Sequence, residues 1–243
     1  MHSGPACEPC DDLGKDPFVF PTPFHLTVDG DYEFVREGAA RDSARRGLVA
    51  VVRLLFHPFF RNLYYFRVEG AEILDALEGV AVTVCNHVSS IDCVMLASAF
   101  WPRSTWFLTL KSNFEIPVIR HLIRALGAIP IPDNISGLTS MRRAVKARIE
   151  AGDLVQIYPE GSLRPGCQVL RPFARGAFKI AADCDAPVVP CVLKLRRDRY
   201  GKKRARLVIL PPISADFSLP PRRRAAALED SCRAAMEREL QKP

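Results

Sequence analysis

The chain has 243 residues, 48% of them apolar and 25% charged, with a formal net charge of +7. That length holds one sizeable domain with a buried core, and the apolar share excludes a disordered or fibrous protein. The positive balance suits an anionic partner: a lipid surface, a phosphorylated substrate or a nucleic acid.

Residues 1–35 are rich in Pro, Asp and Phe, with Asp29-Gly30 as a turn signal, and read as an irregular leader holding at most a short hairpin. The basic start and apolar core of a secretory signal are missing, and no apolar run reaches the roughly 18 residues of a spanning helix. Cys7 and Cys10 form a CxxC without a second pair at zinc spacing, so no metal site is expected. The other cysteines, Cys85, Cys93, Cys167, Cys184, Cys191 and Cys232, are scattered through apolar stretches and read as buried thiols.

Ala39–Phe66 has helical spacing. Arg46, Arg53, His57 and Arg61 share one side of a helical wheel, beside a broad apolar face that includes Leu48, Val51, Leu54, Leu55, Phe59 and Leu63. Such a helix either lies in a membrane interface or docks on a domain core, and the pattern admits both. Pro58 predicts a kink or two shorter helices.

From here strand-like and helix-like pieces alternate. Val80–Cys85, Thr105–Leu110, Leu154–Tyr158, Pro187–Leu195 and Ala205–Leu210 read as strands, and Ala128–Ile131 is short and apolar. Cys93–Trp101, Ile116–Leu126, Gly137–Ala151, Ala174–Cys184 and Pro221–Gln241 read as helices. The order predicts an α/β fold, a mixed and largely parallel sheet flanked by helices, with an N-terminal amphipathic helical extension. The expected division is 1–66 for leader and extension, and 67–243 for the main domain.

Two places could carry chemistry. Asn86-His87 follows the strand Val80–Cys85, with Asp92 five residues further on. Five residues turn about 140° on an α-helix, so His87 and Asp92 meet only if the residues between them turn. Ser89 and Ser90 favour such a turn and could cap the next helix. The pair would then form a general base and its orienting carboxylate; the competing reading is a loop histidine and a helix-capping aspartate. The second place is Tyr158–Gly166, after the strand Leu154–Tyr158. There Gly161 and Ser162 allow close backbone approach to a ligand, and Arg164 offers a fork for phosphate.

In order and separation these blocks, Asn86-His87 to Asp92 and then Pro159-Glu160-Gly161-Ser162, resemble the glycerolipid acyltransferase family that includes 1-acylglycerol-3-phosphate acyltransferases. Weaker blocks agree: Leu110-Lys111-Ser112, Gly127-Ala128-Ile129-Pro130 and Pro187-Val188-Val189-Pro190. The resemblance covers about residues 68–212. It implies His87 as the base that takes a proton from a glycerol hydroxyl and Asp92 as its support. Glu160 and Gly161 would hold a glycerol-phosphate acceptor, with Asn86, Lys111, Gly127 and Ser162 in the same cleft. The donor would be acyl-CoA or acyl carrier protein, with no metal and no further cofactor. A lysophospholipid acceptor implies a peripheral or monotopic enzyme on the cytoplasmic face of an anionic membrane.

The sequence departs from that family twice. Where an arginine usually stands six residues after the glycine of the second block, this chain has Asp133. Leu163 also intervenes before Arg164 in the third block. Arg164, Arg175 and Lys111 are the candidates to hold phosphate instead, and a different lysolipid acceptor, such as a lyso-amino-acid lipid, is the alternative. Lys194–Arg206 adds a dense basic run suited to nucleic acid or to an anionic membrane. Its lone aromatic and the lack of a nucleic-acid module favour the membrane.

Overall fold

The computed structural model describes residues 25–242 other than Glu37 and Glu78; the Cys7/Cys10 pair and most of the leader lie outside the described residues. In chain order come α1 (Ala39–Leu63), β1 (Arg67–Glu69), α2 (Ala71–Asp75), β2 (Ala81–Cys85), α3 (Asp92–Ala99) and β3 (Thr105–Leu110). A 3-10 turn (Lys111–Phe114), α4 (Pro117–Ala125), β4 (Ala128–Ile131), α5 (Ile135–Glu150) and β5 (Leu154–Ile157) follow. The chain ends with α6 (Gly176–Asp183), β6 (Val188–Arg197), β7 (Lys203–Ile209) and α7 (Pro221–Gln241).

The described strands form one sheet in the order β1-β7-β6-β2-β5-β3-β4. Strands β6, β2, β5, β3 and β4 run parallel, while β7 pairs antiparallel with β6 and carries β1 at the edge. The mixed, largely parallel α/β architecture expected from the alternation is therefore present. Strand β1 escapes a sequence reading because three residues of mixed polarity carry no period.

Side chains alternate across the sheet, as the pleat requires. Val82, Val84, Val155, Ile157, Val188 and Val192 meet Met141, Val145 and Ile149 of α5, Phe178 of α6 and Cys232 of α7 in one cluster. Ala81, Cys85, Leu154, Val189, Cys191 and Leu193 point the other way, onto Phe60, Leu74 and Met95. A parallel sheet covered on both faces explains why its strands read as nearly unbroken apolar runs. Within that second face, register partners Thr83 and Gln156 satisfy one another: the Thr83 hydroxyl donates to Gln156 Oε1 at 2.6 Å.

Three local expectations are corrected. Helix α1 runs unbroken through Pro58, which is exposed, so the carbonyl that loses its amide partner lies on the outward side. Helix α5 starts before Gly137, because Asn134 caps it, its Oδ1 accepting from Gly137 N at 2.7 Å. Around Asp29 the chain makes a turn, Tyr32 N–H to Asp29 O at 3.3 Å, with no strand pairing in residues 25–36. The cysteines at 85, 93, 167, 184, 191 and 232 are free thiols; Cys85, Cys167, Cys191 and Cys232 are buried as expected, while Cys93 and Cys184 are only half-buried.

Of the basic stripe of α1, Arg53 and His57 turn inward while Arg46 and Arg61 stay exposed. Arg53 reaches the Ser98 carbonyl at 3.4 Å and His57 Nδ1 lies 3.2 Å from Ser98 Oγ, both on α3. The opposite face leaves Val51, Leu54, Leu55 and Phe59 exposed, at the i, i+3, i+4 and i+8 spacing of one helical stripe. Leu54 is 74% exposed and Leu55 66%. Among the described residues no helix is long and apolar enough to cross a membrane.

Candidate active site

In a parallel sheet all strands deliver their following loops to one edge, and ligands bind there. The loop after β2 carries Asn86–Ile91, and the loop after neighbouring β5 carries Tyr158–Gly166. Two backbone bonds tie these loops together: Arg164 N–H to His87 O at 3.1 Å and Gly166 N–H to Val88 O at 2.9 Å. The loops after β3 and β4 bring Lys111 and Asp133 to the same edge.

The residues between His87 and Asp92 do turn, with Asp92 N–H bonded to Ser89 O at 3.2 Å. The serines do not cap α3, which has no side-chain cap; Asp92 opens the helix and its own carboxylate folds back over the turn. His87 Nδ1 lies 2.7 Å from Asp92 Oδ2, which also accepts from the Val88 and Ser89 amides at 3.3 Å each. The other oxygen, Oδ1, accepts from Tyr158 OH at 2.8 Å. The Asp92 side chain is fully buried, so its charge is held by four donors rather than by water.

That arrangement fixes the imidazole. An ionised carboxylate can only accept, so it selects the tautomer with its proton on Nδ1, whose Nε2 carries the lone pair; the side chain is 22% exposed. Tyr158 stacks its ring on His87 with centroids 4.1 Å apart and planes 16° apart. Burial, reinforced by the Asp92 charge, pushes the Tyr158 hydroxyl far up, so it stays a proton donor to the carboxylate.

Glu160 is buried, not open to an acceptor. Its Oε2 takes Arg171 Nη2 at 2.7 Å and faces the His87 amide at 3.4 Å. Burial raises the Glu160 carboxyl, and the Arg171 charge works against that rise. Arg171 also donates to Ser162 Oγ at 2.6 Å and to the Ser162 carbonyl. Arg233 of α7 holds the Arg171 and Leu170 carbonyls at 2.7 and 3.1 Å. Glu160 and Ser162 thus shape the loop beneath His87, while Gly161, at φ +70°, is exposed and makes the turn between them.

The remaining expected residues divide. Asn86 is buried with both amide groups spent on Leu193 of β6, Leu193 N–H to Oδ1 at 2.8 Å and Nδ2 to Leu193 O at 3.0 Å, so it anchors the loop. Lys111 forms an ion pair with Asp133 across the neighbouring loops. Gly127 stands before β4, at the opposite edge of the sheet, where its φ of +99° and the nearby Thr105 carbonyl give it a backbone role. Arg164 is half-buried in the loop bonded to His87 O. Arg175 is 77% exposed at the start of α6, 3.5 Å from Glu229. Sequence reasoning misses Tyr158 and Arg171 as site residues: Tyr158 reads as the last residue of a strand, and Arg171 sits eleven residues from its partner with no motif around it.

The basic run after residue 194 is less uniform than its sequence. Lys194 is buried, its Nζ 2.9 Å from Glu239 Oε1 of α7, and Arg204 pairs with Asp198 at 2.8 Å. Arg204 also lies over the Tyr65 ring at 3.9 Å, which places the β6–β7 hairpin tip beside the end of α1.

A buried carboxylate holding a histidine at the carboxyl edge of a parallel sheet is the geometry that general-base chemistry requires. The family model described as Acyltransferase matches residues 65–194, and the chain belongs to that family. It is 30% identical over 150 residues to the 1-acyl-sn-glycerol-3-phosphate acyltransferase of Helicobacter pylori, covering 58% of this chain and 63% of that protein. It is 28% identical over 170 residues to the enzyme of the same name from Bacillus subtilis, covering 68% and 83%. The chain thus spans less than two thirds of the Helicobacter pylori relative. The crystal structure of the 1-acyl-sn-glycerophosphate (LPA) acyltransferase PlsC from Thermotoga maritima shares the fold, with a TM-score of 0.60 at 19% identity over 86% of this chain and 85% of that one.

Proposed function

We propose that this chain transfers a fatty acyl group from an acyl thioester to the free hydroxyl of a lysophospholipid, converting 1-acylglycerol-3-phosphate to phosphatidate. The observation that carries the reading is the 2.7 Å contact of His87 Nδ1 with an Asp92 carboxylate that is fully buried and already bonded on its far oxygen by Tyr158. His87 Nε2 removes the hydroxyl proton as the oxygen attacks the thioester carbonyl carbon. The tetrahedral adduct collapses, the carbon–sulfur bond breaks, and the imidazolium returns its proton to the departing thiolate. Asp92 stabilises the imidazolium between those steps. The thioester is already activated, so no metal is needed. The donor is acyl-CoA or acyl carrier protein.

The reading places the enzyme on an anionic membrane at its cytoplasmic face. The outward stripe of α1 and the basic β6–β7 hairpin beside its end support this, since apolar burial and attraction to anionic lipid add. The test is release of free thiol by the purified chain given acyl-CoA or acylated carrier protein and lysophosphatidate in mixed micelles. Wild-type turnover by His87→Ala would sink the mechanism.

Asp133 favours a second reading of the acceptor alone. Its carboxylate offsets Lys111 at the edge where a phosphate would sit. A head group carrying an amine beside an acid group, as in a lyso-amino-acid lipid, would satisfy both charges. A panel of lysolipid acceptors separates the two.

A further inference from the structure

A cavity of about 460 Å³ opens between the N-terminal half of α1, the 3-10 turn, α4 and the segment around Leu26–Arg36. His87 and Asp92 are not among its walls. Five arginines line it, Arg36, Arg41, Arg45, Arg120 and Arg124, against one carboxylate, Asp42. Asp42 is itself 3.5 Å from Arg148 outside the cavity, and Glu33, which is not in the lining, pairs with both Arg36 and Arg124. The lining therefore holds more arginine than carboxylate.

The helices are turned to make it so. On α4, Ile119 and Leu122 are exposed while Arg120, His121 and Arg124 line the cavity; on α1, Arg41 and Arg45 line it while the apolar stripe beyond them faces out. This reverses the usual orientation of surface helices. Arg45 is the deepest cation. It is 7% exposed, rests on Trp106 at 4.3 Å and donates to the Thr105 carbonyl at 3.4 Å, yet its buried Nε has no hydrogen-bond partner among the described residues. Arg148 lies over the same indole at 4.9 Å, ion-paired with Asp153 and 3.5 Å from Asp42, so Arg45 meets a like charge and two carboxylates. A buried N–H without an acceptor is costly, and an acceptor oxygen entering the cavity would complete it.

We propose that this cavity binds the phosphate-ester end of an organic ligand. Several guanidinium forks facing one space suit phosphoryl oxygens, and the volume exceeds what inorganic phosphate fills. Two sources share that chemistry: the phosphorylated nucleotide of a CoA thioester and the phosphate head of a lipid. The 3-10 turn links the cavity to the active edge, with Phe114 in the cavity wall and Lys111 one turn away at the end of β3. As a subsite for either substrate the proposal rests on the acyltransferase reading; as a phosphate-ester site it does not.

The experiment uses the full-length His87→Ala chain in detergent micelles, titrated calorimetrically with CoA and, separately, with glycerol 3-phosphate. The exposed pair Arg36→Gln/Arg41→Gln and the interior Arg45→Met are compared with it, their thermal unfolding measured alongside. Binding that weakens roughly tenfold in the double variant, the scale of one or two lost charge-assisted contacts, supports the site. A response confined to CoA assigns the nucleotide end, and one confined to glycerol 3-phosphate assigns the lipid head. If neither probe binds, or the double variant leaves both affinities unchanged, the proposal is overturned. Because neither CoA nor glycerol 3-phosphate carries an acyl group to transfer, binding is read apart from catalysis: a wild type without acyl transfer but with these binding losses would reject only the acyltransferase reading.

Discussion

The loops after β2 and β5 and the loops after β3 and β4 leave the same edge of one sheet, yet they are built in opposite ways. At the first pair, charge is buried and over-determined: Asp92 has four donors, and Glu160 answers to Arg171, which answers to Ser162 and is held through its carbonyl by Arg233. At the second pair a single ion pair, Lys111 with Asp133, stands in the open, with Asp133 66% exposed. Buried charge pairs fix geometry because losing one partner strands the other, whereas exposed pairs contribute little to stability and yield to a ligand. Under the proposed function the difference becomes a division of labour: the first pair of loops would carry the reaction, and the second the choice of acceptor.

The strongest way to break that comparison is His87→Ala. Turnover should fall by roughly 10²–10⁴, the usual worth of a general base, and the melting temperature should also drop, because the buried Asp92 carboxylate loses one of its four donors. Thiol release and a melting curve check both halves. Next is Arg171→Met, which leaves the Glu160 carboxylate buried without its counter-charge and should cost about 3–5 kcal/mol in denaturant unfolding near neutral pH. The Glu160 carboxyl is already raised by burial, and losing Arg171 raises it further. A raised acid favours folding when protonated, so the variant should regain stability as pH falls through that elevated value and lose it as pH rises again. A denaturation midpoint that does not move with pH would contradict the assignment.

Tyr158→Phe is subtler. The ring stack on His87 survives, but Asp92 Oδ1 loses its hydroxyl donor inside the protein. One bond to a buried charge is worth about 1.5–3 kcal/mol, so turnover should drop by roughly ten- to a hundredfold while acceptor preference stays fixed. A change in preference would mean that the two loop pairs are not separable.

The first pair of loops is half legible in the sequence. Short strands of β-branched residues place β2 and β5, and two motifs at their ends name His87, Asp92 and Glu160. What a motif cannot state is burial. Glu160 reads as an acidic residue free for an acceptor, and only the return of the chain at Arg171 closes it off. Tyr158 belongs equally to a strand's end and to the histidine's face, a distinction that exists only when β5 lies beside β2. On α1 the apolar and basic stripes are both visible, but which of them faces the core depends on Arg53 and His57 finding Ser98 on a helix some forty residues later. Asp133 reads as a defect in a phosphate site, because its partner Lys111 comes from another strand's end.

That last pair gives the smallest and most specific effect. The hydrogen bond from Lys111 holds the Asp133 carboxyl below its ordinary value, so Asp133 stays anionic across the neutral range and cancels Lys111 there. If phosphate binds at this edge, it must compete with that carboxylate for the ammonium. Asp133→Asn removes the competitor and keeps the shape. The expected outcome is a KM for lysophosphatidate lowered several-fold, on the order of one screened charge contact, with kcat and thermal unfolding unmoved. The gain should shrink at high salt, since both groups are solvent-accessible. An acceptor whose head carries an amine should respond in the opposite direction, because it loses the only carboxylate of that pair. Equal KM shifts for both acceptors would show that Lys111 and Asp133 do not read the head group, and would return the choice of acceptor to the buried loops.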